Sequence, residues 1–204
     1  MPDLTESYFT GIQFEDYRKI SDLPENENSG EHLRIRSITE TEFNPVKEFD
    51  IEPERPGLLE NEYFRRHDID VYYKSIVREF ESIYNERQPQ TGSTIIKAII
   101  EELNYLASSN SDKKTLIINS DLMEKSALAN FYNPATFLIL KNDPESLINQ
   151  FKSKYKINSL KGIEMYFVYL PQDQSDGERF DITSSFCKKL FESFGAKVNI
   201  CGGL

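Results

Sequence analysis

Tryptophan is absent from this 204-residue sequence, and cysteine occurs only twice. Cys187 and Cys201 match no metal-ligand spacing, so the pair argues against a zinc ribbon or a disulfide-stapled scaffold, and both thiols are expected to be reduced. Positive charge is also short. Against 34 Asp and Glu stand 24 Lys and Arg, and the net charge of -10 argues against nucleic acid as a main partner, because phosphate binding needs a basic surface. No apolar run approaches the roughly 20 residues of a membrane-spanning helix. Nor does a basic-then-apolar leader open the sequence, so the reading is a cytoplasmic protein with no membrane partner. Glycine-rich phosphate loops are missing too. What the chain does have is 14 Phe and 11 Tyr, which predict heavy aromatic packing, in a length that buries a real core.

The chain is organised around Lys113–Asp121. Here Leu116-Ile117-Ile118 lie in an apolar stretch without polar alternation and Ser120-Asp121 closes it, the pattern of a parallel strand buried on both faces. On that reading an Ile117→Asp change abolishes folding. A second such run lies at Gly162–Leu170, and a short final strand at Lys197–Cys201. Leu33, Ile35 and Ser37 alternate with polar residues, and Val46–Ile51 alternates after Asn44-Pro45, which predicts an antiparallel hairpin near a sheet edge. Helical periodicity is expected over Phe14–Leu23, Ile69–Tyr84, from Thr94 to about Leu106, near Ala135–Leu140, and near Pro144–Tyr155. A last helix ends at Phe194-Gly195 with Asp181 or Thr183 as its cap, after an acidic loop at 171–177. Strands alternating with helices specify a single α/β domain, doubly wound, with a mostly parallel sheet. The five strand candidates are expected to share one sheet with 115–119 at its centre. Glu60, Glu62, Arg65 and Arg66 read as a solvated mixed-charge face, His32 and His67 as surface or hairpin residues, and Cys187 as core.

Three oxygen-bearing pieces stand out: Asp3-Leu4-Thr5-Glu6-Ser7, Gly92-Ser93-Thr94 heading a helix, and Ser120-Asp121 ending a strand. Their order resembles the von Willebrand factor type A family, whose metal-ion-dependent adhesion site uses Asp-x-Ser/Thr-x-Ser, a later Thr and a later Asp. Gly92, Thr94, Ile96 and Ala98 fall where the family's second motif has Gly, Thr, an aliphatic residue and Ala. Glu124-Lys125-Ser126 and Phe131-Tyr132-Asn133-Pro134 are similar to a bacterial branch. The resemblance implies a three-layer, Rossmann-like architecture and a divalent-cation site formed by Asp3, Thr5, Ser7, Thr94 and Asp121. It departs from the family at one place, because no apolar first strand precedes Asp3. The expectation is an upstream strand outside this sequence, and weak or absent cation binding while Asp3, Thr5 and Ser7 lack that anchor.

The chemistry stands without the family name. Mg²⁺, or Mn²⁺ in its place, takes hard oxygen ligands in an octahedral shell and keeps several waters. Hydroxyls and one or two carboxylates leave a position that an acidic residue of a partner protein can fill. The expected function is therefore a protein-protein interaction module without catalysis of its own. The alternative is a metal-dependent hydrolase using Asp121, for which the sequence offers no convincing nucleophile, base or phosphate loop.

Overall fold

A computed structural model describes residues 1–2, 14–38, 45–54, 62–86 and 94–203. The fold is mixed α/β, with a three-stranded parallel sheet and a two-stranded antiparallel one. Helix α1 (Phe14–Ile20) is followed by the hairpin β1 (Glu31–Arg36) and β2 (Val46–Ile51), then by α2 (Glu62–Glu86) and α3 (Ile95–Ser108). Strand β3 (Lys114–Asn119) leads to α4 (Pro134–Asn142), α5 (Pro144–Lys154), β4 (Ile163–Val168), α6 (Gln174–Glu192) and β5 (Lys197–Cys201).

The expected single five-stranded sheet is divided. Strands β3, β4 and β5 pair in parallel in that order, so β4 is central and β3 lies at one side, whereas β1 and β2 pair only with each other as regular strands. Met1 and Pro2 lie between the two sets. The Met1 amine donates to Ile117 O at 2.6 Å, Asn119 N donates to Met1 O at 2.9 Å, and Ile38 N donates to Pro2 O at 2.8 Å. Pro2 forms a parallel bridge with Asn119. Met1 and Pro2 thus touch both halves through backbone hydrogen bonds and one isolated bridge.

Side-chain alternation decides which faces are dry. Leu116 and Ile118 sit beside Met165 and Phe167 in register, with Val198 next to Met165, and all five are buried in one core with α3, α4, α5 and α6. On the opposite face Thr115, Ile117, Glu164, Tyr166 and Asn199 are only half-buried. Ile117 is therefore not shielded on both faces, because the described helices that meet this sheet draw on the Leu116–Ile118 side. The hairpin is covered differently. Leu33, Ile35, Phe49 and Ile51 pack with α1 and α2 in a second core, while Arg34 and Arg36 reach from the other face to α3.

Local chemistry explains the helix ends. Asn133 caps α4 by accepting from Ala135 N, and Asp143 caps α5 by accepting from Ser146 N; each helix has a proline in its first turn. Helix α6 begins earlier than expected. Asp173 is its cap, accepting from Asp176 N at 2.9 Å, so the stretch read as a loop is its first turn despite Gly177. Asp181 and Thr183 lie inside the helix. Helix α2 also starts earlier, and Arg65 in its first turns is buried rather than solvated, donating to the carbonyls of Glu27, Ser29 and Glu52. Glu31 ties α1 to the hairpin by accepting from Tyr17 Oη, Ser21 Oγ and Asp22 N. Among the described residues no helix is long and apolar enough to cross a membrane.

Candidate functional site at the carboxyl end of the parallel sheet

Strand β3 delivers a polar run, Asn119-Ser120-Asp121, into a sharp turn. Asn119 is buried and its Nδ2 donates to Val168 O at 3.3 Å, so the end of β3 is fixed to the end of β4. The Ser120 hydroxyl accepts from Leu122 N and the Asp121 carboxylate accepts from Met123 N, each at 2.9 Å. Between these two bonds Leu122 adopts φ 61°, a left-handed conformation uncommon for a branched apolar residue. Its side chain is fully buried, which holds the residue in that conformation. From the helical side, Thr183 Oγ1 of α6 donates to the Asp121 carbonyl at 2.9 Å. Asp121 itself is half-buried at the rim.

Thr94 occupies the position before α3, and its side chain makes no capping bond. The cap comes from the loop that follows Asp121: Glu124 Oε2 accepts from Ile96 N at 2.8 Å. A carboxylate at a helix start meets both unpaired amides and the positive end of the helix dipole. Glu124 is buried, and its charge, after burial itself, helps hold the Cys187 thiol above its ordinary range. Cys187 is thus an inert core thiol, as expected. Sequence reasoning missed the role of Glu124, since its partner lies 28 residues away and no local pattern announces the contact.

Of the five expected ligands, Thr94 and Asp121 lie on elements that this loop joins. Asp3, Thr5 and Ser7 lie outside the described residues. Comparison with protein-family models, curated proteins and solved structures finds no match. Among the described residues no three His, Cys, Asp or Glu side chains form a metal-holding group. The donors the described part offers are one rim carboxylate and one hydroxyl. Both are hard oxygens of the kind Mg²⁺ takes, and neither is a soft ligand suited to zinc or copper.

The buried start of the chain has a measurable consequence. Burial pushes the Met1 amine down from 8.0 to about 5, against the Glu102 carboxylate, which pulls it up. The unfolded amine binds its proton below about pH 8 and the folded one only below about pH 5, so unfolding takes up a proton between them. The contribution of this amine to stability then rises with pH across this window, by roughly 2 kcal/mol between pH 6 and pH 8. Urea melts of the chain with its Met1 amine unblocked read this directly; stability that is flat or falling over that range contradicts the burial of the amine.

Proposed function

We propose that this chain is a von Willebrand factor type A-like interaction module of doubly wound, three-layer architecture. In this reading a divalent cation, Mg²⁺ or Mn²⁺, is held at the rim of the parallel sheet by Asp3, Thr5, Ser7, Thr94 and Asp121. Asp3 and Asp121 act partly through water, the three hydroxyls supply neutral oxygens, and a carboxylate from a partner protein completes the shell.

The observation that supports it most is where β3 ends. From β3 the chain builds outward through β4 to β5, while Met1-Pro2 and the hairpin lie on the other side of β3. Open α/β sheets bind ligands in the crevice outside the carboxyl ends of their strands, and the end of β3 beside Pro2 is such an end. Asp121 stands at that crevice, its backbone fixed by Thr183 and followed by the left-handed Leu122. Uncommon backbone of this kind concentrates at functional sites.

The test is a thermal melt with and without Mg²⁺ or Mn²⁺. A cation at a hundred times its dissociation constant adds about 2.7 kcal/mol, because the unfolded chain has no assembled ligands. Asp121→Ala is expected to erase the shift, and Asp70→Ala, on the exposed side of α2, to keep it. No shift at millimolar cation, or a shift that survives Asp121→Ala, removes the cation site.

A further inference from the structure

The described buried apolar side chains fall into two cores. One contains α3 to α6 with the parallel sheet, and the other contains α1, the hairpin and α2. Apart from Ile38, which follows β1 and is buried in the first core, the described contacts that join them are polar. Arg34 Nε donates to Glu102 Oε2 and Arg36 Nη1 to Glu102 Oε1, both at 3.1 Å, and Arg36 also pairs with Glu101. The Arg34 guanidinium lies 3.8 Å from the Tyr105 ring centre, and the Tyr105 hydroxyl bonds His32 Nε2 at 2.9 Å. At the far end Lys113 Nζ donates to Ile20 O and Asp22 Oδ1. Arg36 and Glu102 are both buried, so this seam is a desolvated ion layer flanked by exposed pairs.

Such a layer holds differently from an apolar interface. The gain from a buried ion pair is largely cancelled by the cost of desolvating it, and parting the two bodies with their pairs rehydrated recovers that cost. Each body keeps its own hydrophobic core when they part, except that Ile38 leaves the first. We propose that α1, β1, β2 and α2 form a body that opens from the parallel-sheet body as a unit, with Arg34, Arg36, Glu101 and Glu102 as its latch. The geometry places one end of this motion at the crevice, since Ile38, two residues beyond Arg36, donates to Pro2 O and parts from it on opening. The opening belongs to the chain alone and needs no bound cation, so it stands or falls apart from the cation reading.

Native-state hydrogen exchange on the full chain tests it, in low denaturant and with no added metal. Amides of β1, β2 and α2 are expected to share one opening, at least tenfold more populated than the opening that exposes β4 and α6. Glu102→Gln removes the charge between the two arginines, and is expected to speed exchange in the first set at least tenfold while β4 changes less than twofold. If that variant does not fold, Glu101→Gln loses only the outer pair, and the same selective effect, about threefold, is expected. A single opening shared by β1, β4 and α6 in the parent chain overturns the proposal, as does a variant that speeds β4 as much as β1.

Discussion

Ile118→Asp is expected to leave no folded protein, whereas Ile117→Asp next to it folds with a loss of roughly 1–2 kcal/mol. Ile118 is fully buried on the face that meets the helices, beside Phe167 in register. An aspartate there loses about 2–3 kcal/mol of apolar burial. It also forces a carboxylate into a site with no partner, at several kcal/mol more. Together these match much of the 5–15 kcal/mol that holds a typical domain. Ile117 lies on the half-buried face, outside the core, where a carboxylate reaches water. Soluble expression and urea melts of the two variants give the comparison. Equal effects at the two positions contradict the one-sided burial of β3.

The second large effect is at Arg65. Its guanidinium donates to Glu27 O at 2.6 Å, Ser29 O at 2.6 Å and Glu52 O at 2.9 Å, joining the loop before β1 and the end of β2 to α2. Charged donors of this kind contribute about 1.5–3 kcal/mol each, and removing them together leaves three carbonyls without that partner. Arg65→Ala is therefore expected to cost roughly 3 kcal/mol or more, read as a lower urea midpoint with an unchanged slope. Arg65→Lys is not expected to restore it, because a single ammonium lacks the planar fork that reaches three acceptors. A loss below about 0.5 kcal/mol, the size of an ordinary surface change, would return Arg65 to the solvated face that its neighbours suggest.

These two positions show what the sequence makes legible and what it hides. Hydrophobic period identifies the elements well: Val46–Ile51 is a strand as read, Ile95 to Leu106 is helical, and the runs at 163 and 197 are parallel strands. Period cannot say which helices cover which face, so an unbroken apolar run at β3 reads as doubly buried when only alternate residues are. Nor can it show that Met1-Pro2 stands between two sheets, because sheet order rests on contacts over a hundred residues apart. Arg65 looks solvated because it stands in a mixed-charge run with Glu60, Glu62 and Arg66, and only its three distant acceptors mark it as structural. The start of α6 is hidden by Gly177 and by acidic residues that suit a loop as well as a first helical turn. At the candidate site, Asp121 and Thr94 are readable as oxygen-bearing residues at element ends. Glu124 is not, because its role depends on the amide of Ile96 across the fold.

The most direct measurement is a crystal structure of the chain soaked in Mn²⁺, with anomalous scattering used to place the ion. The proposed function predicts a single strong peak in the crevice outside the carboxyl end of β3. It should lie within reach of Asp121, Thr94 and the 3–7 segment, at oxygen distances near the ~2.1 Å of an octahedral hard-cation shell. A peak elsewhere, or an empty crevice whose Asp121 and Thr94 oxygens stand more than about 10 Å apart and so cannot share one such shell, would contradict it.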